Sequence, residues 1–494
     1  MSLENPTPPS GTSGITNTYV VDPQFARRFT AGWVGLAGVF VVLSAPRLYR
    51  SIRSGRAWQG LGIYEKFGGY EPLSEKREEK TPKPPSRTDR TIGILHALVR
   101  GPTLYSVPKT QINMGEVLII IVYYAILLLC LLLQANLRIN SNRGGFMALA
   151  QLPAVFLFGT KNNPLSFLLG RGYEKLNVIH RWSGGQASFL KTSKPQYGMA
   201  AYGTLCALTL LSLRPVRQKL YQFFFITHVM NAILESCDTS MTLVHIPDVT
   251  GGWIAGQHVQ LRVFFGHRIY ESHSFTIINA PPAITNLPTI SNGGTHYGGI
   301  TLAARVAGDW TRDLNTLAQN GEKGRQQVVV LLDGPYGGSS LDFGEYEAVL
   351  LISGGSGVTV SLGILDDLLG RIVRLGRPNR ERTKRIDVVW CIRSFGAILW
   401  FAPMFMALGK AAEDSSVDLS FKFYVTCLCD PEAIPPIPNC TVSISKPTIS
   451  ESLQPLLTHA ASTAGGTQNA VAKIGPMTAA SVGGIGLHTE LFAL

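Results

Sequence analysis

The sequence predicts a multi-domain protein, in which an α-helical transmembrane domain is followed by an antiparallel β-barrel and an α/β domain. Charged residues make up only 15% of the 494 residues, and the mean hydropathy is positive, as is typical of membrane proteins. Long apolar runs occur only before residue 237. Beyond that point, short β-like runs give way to an alternation of strand and helix patterns.

The apolar runs of the first half predict the membrane domain. Each of four strong runs is about long enough to cross a hydrocarbon core of ~30 Å. The first run ends in a cluster of arginines, and by the positive-inside rule the loop that follows it lies in the cytoplasm. The strong runs cover 29–45, 117–133, 146–159 and 197–213, weaker runs cover 178–190 and 221–234, and the arginines are Arg47, Arg50, Arg53 and Arg56.

The charge distribution supports membrane orientation over nucleic-acid binding. The net charge is +12, but residues 46–113 alone hold thirteen Lys and Arg against six Asp and Glu. More than half of the excess therefore lies in one stretch beside a predicted membrane helix. We expect a lipid bilayer and no nucleic acid as partner. The seven cysteines are scattered and imply no disulfide framework.

The second half changes from short strands to a βαβ pattern. Runs at 241–246, 258–265, 275–278 and 299–306 predict a small antiparallel barrel. From residue 347, a strand, a glycine turn, a helix and a second strand indicate a parallel α/β sheet. The expected domains are an N-terminal region at 1–113, a transmembrane domain at 114–237, a barrel at 238–345 and an α/β domain at 346–494.

A glycine turn carries the first group of candidate cofactor-binding residues. Gly354, Gly355 and Gly357 lie where a buried strand turns into a helix, followed by Thr359, so backbone N–H groups are able to face a pyrophosphate. Such turns also serve packing alone, and the spacing is not GxGxxG. Arg393 follows the next strand, where it either pairs with a 2′-phosphate or is an ordinary surface arginine.

Two further segments lie upstream of that turn. The strand with His273, Ser274, Phe275 and Thr276 alternates polar groups with an aromatic ring, which suits the edge of a flavin ring or an ordinary barrel strand. The second segment is a helix start between this strand and the glycine turn, and it offers hydroxyl and backbone donors for another phosphate. Its candidate residues are Gly308, Trp310 and Thr311.

Two histidines are the candidate metal ligands of the membrane half. His180 and His228 each lie at the cytoplasmic start of a weak apolar run. If both runs point outward, the two imidazoles lie at similar depth and are able to bind one haem iron from its two faces. The alternative is a pair of interfacial histidines that reach toward the lipid headgroups.

The order of these motifs resembles that of fungal ferric-chelate reductases, which belong with the NADPH oxidases. The strings NRGGFMALAQLP at 142–153, YEKLNVIHRWSG at 173–184, LRPVR at 213–217 and FFFITHV at 223–229 resemble their membrane domain. GGWIAGQHV at 251–259 resembles the start of their flavin domain, and GGIGLHTE at 483–490 resembles their C-terminus.

The resemblance implies a membrane ferric-chelate reductase of iron uptake. In such proteins a ferredoxin reductase-like pair of domains, an FAD-binding barrel and an NADPH-binding α/β domain, faces the cytosol. Electrons pass from NADPH through FAD and haem b to ferric chelates outside the plasma membrane. On this resemblance His180 and His228 bind the inner haem. Of the motifs in the second half, the resemblance places His273, Thr276, Trp310 and Thr311 at FAD, and Gly354, Gly355, Gly357 and Thr359 at NADPH.

The sequence departs from this family at the outer haem. Each haem helix of the family carries a second histidine, and here the corresponding positions hold Lys194 and Thr242. This chain therefore provides for one inner haem at most. Two alternatives stay open: a remnant that is inactive or mis-spliced, or a membrane-tethered NADPH diaphorase that lacks the outer haem. A superoxide-producing NADPH oxidase shares the architecture. The sequence leaves the oligomeric state open.

Overall fold

A computed structural model describes both halves of the chain. In the first half it covers 18–53, 63–65, 114–133, 142–160, 164–170, 176 and 179–180. The second half is described from 229 to 448 except for 239, 248, 267, 289, 293–294, 339–341, 378–380, 429 and 431–433, together with 452, 462–467 and 485–490. The predicted apolar run at 197–213 and His228 lie outside the described residues.

Four described helices form the membrane half, and they match three of the four strong apolar runs. Helices α1 and α2 are long and apolar enough to cross a membrane. Both expose large apolar side chains, such as Val42, Leu43 and Leu129, which are more than half exposed. Such surfaces suit contact with lipid. The helices are α1 (Thr18–Arg53), α2 (Met114–Leu132), α3 (Asn142–Gly159) and α4 (Pro164–Leu169).

A buried ion pair joins three of these helices at one end. Arg143 of α3 donates from Nε to Asp22 of α1 at 2.6 Å, and both side chains are at most 1% exposed. Its Nη1 donates to the carbonyls of Cys130 and Leu133, which terminate α2. One guanidinium thus neutralises a charge on α1 and satisfies carbonyls at the α2 C-terminus. Helix α1 is therefore packed into the membrane half.

The barrel predicted for the second half is present as a nearly closed antiparallel sheet. Its strands follow the order β6, β5, β10, β2, β3, β9, and a bridge between Ile277 and Leu302 joins the two edges. The predicted strand 241–246 is confirmed to the residue. The strands are β2 (Val229–Ser236), β3 (Met241–Ile246), β5 (Gln257–Val263), β6 (His273–Thr276), β9 (Ile300–Arg305) and β10 (Arg325–Gly337). A separate hairpin of β7 (Ile290–Asn292) and β8 (Thr295–Tyr297) lies between β6 and β9 in the chain.

The first of these strands corrects the sequence analysis. Strand β2 covers the last residues of the weak apolar run 221–234, so residues 229–234, which the sequence analysis assigned to the transmembrane domain, belong to the barrel. Buried Ala232 and Leu234 pack into the barrel core instead. The described barrel consequently begins before the predicted boundary at 238. The apolar run misled because a barrel strand with a buried face is as apolar as a short membrane segment.

The α/β domain is a six-stranded parallel sheet flanked by helices. Its order is β14, β13, β12, β11, β15, β16. The predicted strand, glycine turn and helix are all confirmed. The elements are β11 (Ala348–Gly354), a 3₁₀ turn (Gly355–Gly357), α6 (Val358–Val373), β12 (Arg385–Ser394), α7 (Gly396–Glu413), β13 (Asp418–Leu428), β14 (Cys440–Ser443), β15 (Ser462–Thr467) and β16 (Ile485–Glu490).

Helix α6 packs its backbone directly against the barrel. A Cβ at Gly363 would lie 2.9 Å from the carbonyl oxygen of Ile277, and one at Gly370 would overlap that of Ile284. Between them, buried Asp366 accepts hydrogen bonds from the segment 280–286. The spacing of three and four residues puts all three positions on one helix face. Only glycine permits so close an approach at the two flanking positions.

The cytoplasmic end predicted for α1 lies on the same side of the molecule as the second half. After α1, the short strand β1 (Tyr64–Glu65) pairs with β4 (Val249–Gly251) of the barrel. Arg50 also forms an ion pair with Glu345 at 2.5 Å, just before the α/β domain. Both side chains are more than one-third exposed, so the pair adds little stability. The arginine-rich end of α1 and the barrel are nevertheless brought together.

Substituting Asp22 with Asn tests the buried ion pair. Because the guanidinium of Arg143 stays buried after the carboxylate is removed, we expect the free energy of unfolding to fall by about 3–5 kcal/mol. Thermal unfolding in detergent measures this loss. Asp309→Asn is the control, since Asp309 is 75% exposed in its pair with Arg312 and its loss is expected to be too small to measure. Equal stabilities of the two variants would contradict the prediction.

The pH dependence of stability tests the burial of Asp366. Burial raises the pKa of this carboxyl to about 6, although its hydrogen bonds oppose the shift. The folded state therefore binds a proton up to about pH 6, whereas the unfolded chain releases it near pH 4. We expect the free energy of unfolding to decrease as the pH rises from about 4 to about 6. The difference between the wild type and Asp366→Asn, measured by denaturation across that range, should contain this slope.

Candidate cofactor-binding sites

The α/β sheet places its predicted glycine turn at a topological switch point. From β11 the chain proceeds to β12 on one side, and β15 lies on the other side of β11. In open parallel sheets, ligands bind in the crevice beyond the carboxyl ends of the strands at such a point. The turn at Gly354–Gly357 begins at the carboxyl end of β11. The sheet order, which the sequence did not reveal, thus supports a ligand site at these glycines.

The glycine turn leaves space for a ligand to approach its backbone. Gly355 has a φ of +53°, a left-handed conformation that favours glycine. A Cβ added at Gly354 or Gly355 would meet no atom within 4 Å among the described residues. These two glycines are therefore not required by packing, which is the alternative that the sequence left open. The open space fits the approach of a phosphate group to the backbone.

A tryptophan that the sequence analysis missed holds this turn in place. Trp390 of β12 donates from Nε1 to the carbonyl oxygen of Gly355 at 2.8 Å. Its indole is 1% exposed and packs against Phe401, Phe405 and Phe423, with ring centroids 5.4–6.0 Å apart. The tryptophan is therefore rigidly held. It fixes the orientation of the Gly355 peptide and with it the shape of the turn.

The hydroxyl groups beside the turn differ in their bonding. Thr359, a predicted ligand residue, donates from Oγ1 to the carbonyl of Ser356 at 3.1 Å and so stabilises the turn itself. Ser353 ends the apolar part of β11, and its hydroxyl is buried without a hydrogen-bond partner among the described residues. Such a group costs about 1–3 kcal/mol. Ser353 is thus an additional candidate for ligand binding that the apolar strand pattern concealed.

Arg393 lies at the same edge of the sheet. The parallel register pairs Gly354 with Cys391, so exposed Arg393 extends two residues beyond that level on the neighbouring strand. Its position is compatible with both alternatives from the sequence, a partner for a 2′-phosphate and a surface arginine. Its role stays a prediction.

The predicted flavin strand lies at the edge of the barrel sheet. Strand β6 carries His273, Ser274, Phe275 and Thr276 and pairs with β5 on one side. Phe275 stacks on Trp310 with ring centroids 6.0 Å apart, and His273 lies closer to the same indole, at 4.2 Å. The structure thus brings together residues that are 35 positions or more apart in the sequence. Their contact with a flavin stays a prediction.

At the start of helix α5 (Asp309–Gln319), where the sequence predicts a phosphate site, the structure shows local hydrogen bonds. The Thr311 hydroxyl accepts hydrogen bonds from the N–H groups of Ala307 and Gly308, at 2.9 and 3.1 Å. Trp310 is 3% exposed and belongs to the barrel core. The Thr311 hydroxyl and the Gly308 N–H are therefore engaged in local hydrogen bonds. The phosphate role of Gly308, Trp310 and Thr311 stays a prediction.

The described histidine of the membrane half has a defined orientation. His180 lies against α3, where its Nδ1 is 2.7 Å from the carbonyl oxygen of Val155. A Cβ at Gly159 would approach that same nitrogen to 2.7 Å, so the glycine makes room for the ring. Because a carbonyl only accepts, Nδ1 carries the proton and the lone pair of the neutral ring lies on Nε2. This is the tautomer found in histidines that bind a metal through Nε2.

The second predicted haem ligand, His228, lies outside the described residues. Within the part of the chain that the structure describes, no three His, Cys, Asp or Glu side chains are grouped to hold a metal ion. The metal role of His180 and His228 accordingly stays a prediction.

Trp390→Phe tests whether the glycine turn binds a nicotinamide dinucleotide. Loss of the indole bond to Gly355 should loosen the turn, and we expect the Kd for NADPH to rise about threefold to tenfold. Equilibrium binding to the full chain in detergent measures this change. Trp253→Phe is the matched control, because buried Trp253 also donates to a backbone carbonyl, that of Asn279, at 2.8 Å. If both variants lose affinity for NADPH to a similar degree, the cause is general destabilisation, and the prediction for the turn is wrong.

Two segments of the chain match known family models. Residues 144–193 match the model described as "Ferric reductase like transmembrane component", and residues 346–432 match "Ferric reductase NAD binding domain". The first includes His180 and the second includes the glycine turn. A ferredoxin NADP⁺ reductase from Neisseria gonorrhoeae with bound FAD and NADP covers 53% of this chain and 99% of its own, at 14% identity and a TM-score of 0.33.

Sequence relatives point to the same family. The "Probable cell surface ferric reductase kap2" of Aspergillus oryzae is 25% identical over 342 residues, and "Ferric reductase transmembrane component 6" of Saccharomyces cerevisiae is 23% identical over 334 residues. Each match covers 52% of this chain and 44% of the relative, so the chain spans less than half the length of these relatives. "NADPH oxidase 1" of Mus musculus is 32% identical over 158 residues, which cover 32% of this chain and 24% of its own. The resemblance predicted from the motifs is confirmed: the chain is similar to fungal ferric reductases, and its residues 144–193 and 346–432 match ferric reductase family models.

Proposed function

We propose that this chain is a membrane-anchored NADPH-dependent ferric-chelate reductase of iron uptake, with its FAD and NADPH domains on the cytosolic side of the plasma membrane. The observation that carries the proposal is the glycine turn, which lies at the switch point of a parallel sheet with open space above Gly354 and Gly355. The matches to ferric reductases support the same assignment.

The residues present at the turn fit a nicotinamide dinucleotide. Gly354 and Gly355 would allow its pyrophosphate to approach their backbone, and the buried Ser353 hydroxyl would gain a partner. Arg393 at the same sheet edge would face a 2′-phosphate and so favour NADPH over NADH. Trp390 would keep the turn in the binding shape through its bond to Gly355.

The barrel edge fits the ring of a flavin. His273, Phe275 and Thr276 lie on the edge strand β6, and the rigid indole of Trp310 supports the first two from beneath. When bound, FAD would accept a hydride from NADPH and release the electrons singly to a one-electron acceptor. The chain's own residues would orient the ring and exclude water from one of its faces.

The residues fit an inner haem in part and do not fit an outer one. His180 has the tautomer that an axial ligand needs. Thr242, at the position of a second family histidine, is fully buried in barrel strand β3, and its hydroxyl accepts from Asn315 at 2.9 Å. His245 cannot replace the missing ligand, because it lies in the same strand. We therefore derive no electron transfer to an outer haem.

The placement of Thr242 favours a second candidate function. Without an outer haem, electrons would have to cross the outer half of a bilayer of ~30 Å unaided. A membrane-tethered NADPH diaphorase would instead reduce its acceptor on the side of the barrel. The two candidates share the same NADPH and FAD chemistry and differ only in where the ferric chelate is reduced.

Proteoliposomes of the full chain separate the candidates. NADPH is added outside, so only molecules with their barrel outward respond, and a ferric chelate is supplied either outside or enclosed. Reduction of the enclosed chelate would support the transmembrane reductase, and reduction of the external chelate alone would support the tethered diaphorase. Oxygen consumption with superoxide release and no iron reduction would indicate an NADPH oxidase. No NADPH oxidation with any acceptor would overturn the proposal and support the inactive remnant.

Gly355→Ala tests the NADPH site within the same assay. The added Cβ would project into the open space above the turn. We expect the rate of NADPH-driven reduction of the ferric chelate to fall at least tenfold, whereas reduction of the bound flavin by dithionite should not change. Gly376→Ala is a matched control, since Gly376 also has a positive φ, +63°, and open space around it, but follows the far end of α6. The strain of about 1–2 kcal/mol is common to both variants. Equal activities would refute the assignment of the turn.

A further inference from the structure

The contact between α6 and the barrel connects the two candidate cofactor sites. Helix α6 starts at the glycine turn, and the segment that it touches, 277–287, directly follows flavin strand β6. The contact of α6 with this segment therefore contributes to the orientation of the dinucleotide turn relative to the flavin strand, together with the apolar packing of Met241 and Leu243 against the α/β core. The side chain at the centre of this contact is Asp366.

Asp366 gathers three donors from the barrel segment. Its Oδ2 accepts from the N–H of Ala280 at 2.8 Å and from the hydroxyl of Thr285 at 2.6 Å. Its Oδ1 accepts from the N–H of Asn286 at 2.7 Å. The carboxyl is fully buried, so these bonds replace its hydration. Such a carboxylate fixes both the distance and the rotation of its helix relative to the donors.

Both sides of this contact are rigid. On the barrel side, Asn279 accepts two hydrogen bonds of 2.8 Å. Its backbone carbonyl accepts from Nε1 of Trp253, and its side-chain Oδ1 accepts from the N–H of Thr301. On the helix side, Gly363 and Gly370 hold the backbone of α6 against the segment. The segment 277–287 contains no titratable residue. The charged neighbours are Asp367 and Arg371 on α6, and Arg374 directly after it, which donates to the side-chain oxygen of Asn286 at 3.1 Å. The donors of Ala280, Thr285 and Asn286 therefore all bind the Asp366 carboxylate.

We propose that Asp366 is a positioning residue that holds the dinucleotide turn and the flavin strand at the separation required for hydride transfer. This inference rests on the proposed function, because it assumes that NADPH and FAD bind at these two places. Hydride transfer depends steeply on geometry, and a displacement of about 1 Å is able to reduce a rate about 100-fold. Loss of the carboxylate should therefore slow transfer without weakening the binding of either cofactor.

Asp366→Asn tests the proposal at pH 8, where the wild-type carboxylate is ionised. The amide nitrogen of Asn is a donor and would oppose one of the three donors of the segment. We expect the rate of flavin reduction by NADPH, followed by stopped flow, to fall about 10–100-fold. The Kd for NADPH and the flavin content should stay within twofold of the wild type. Thr285→Val, which removes one donor, should produce a smaller loss in the same rate.

Asp387→Asn is the matched control. Asp387 lies in the same domain, is 1% exposed and also accepts three hydrogen bonds, from Arg385 twice and from Ser420. It is near the amino end of β12, away from the barrel contact. Its loss should lower stability without a selective loss of hydride transfer. An equal rate loss in Asp387→Asn, or an unchanged rate in Asp366→Asn, would overturn the proposal.

Hydrogen exchange gives a readout that does not depend on cofactors. The amide protons of Ala280 and Asn286 should exchange at least tenfold faster in Asp366→Asn than in the wild type, and those of β12 should not change. Unchanged exchange at 280 and 286 would contradict the role of Asp366 even if activity fell. If the wild type fails to reduce flavin with NADPH while these amides respond as expected, the proposed function fails and the structural contact stands.

Discussion

The close contact between helix α6 and the barrel segment 277–287 is the constraint on which the second half of the structure depends. Glycines at 363 and 370 bring the helix backbone against carbonyl oxygens, and Asp366 replaces the side-chain packing that is absent there with three hydrogen bonds. A buried carboxylate is costly unless donors surround it. The barrel and the parallel sheet are therefore joined by polar groups of fixed geometry as well as by apolar packing, in which Met241, Leu243 and Leu287 share a cluster with the core of the α/β domain.

A comparable principle operates in the membrane half. Arg143 and Asp22 form an ion pair that is almost completely shielded, and the guanidinium also satisfies carbonyls at the end of α2. Such a pair determines which helices are neighbours more than it adds stability. It also makes α1 part of the helix cluster. Through β1 and the Arg50 contact, the same helix reaches the barrel and the edge of the α/β domain.

The functional proposal depends on where individual residues fall in this arrangement. Among the described residues, the glycine turn combines open space at two glycines, a carbonyl held by Trp390 and a buried Ser353 hydroxyl without a hydrogen-bond partner. Thr242, at the position of a second family histidine, is part of a barrel strand and not of a membrane helix. The proposed entry of electrons therefore rests on the glycine turn, and the side of the membrane on which iron would be reduced stays a prediction.

The sequence by itself determined the order of the domains, most element positions and the glycine turn, because hydropathy, strand alternation and glycine placement are local signals. Its apolar run at 229–234 indicated the transmembrane domain, but these residues belong to the barrel. No local pattern singled out Ser353, Trp390 or Asp366. Ser353 and Trp390 looked like members of apolar strands, and Asp366 looked like a polar residue of an ordinary helix. Only the tertiary structure decided their roles, since their partners are distant in sequence and the cost of burying a polar group depends on those partners.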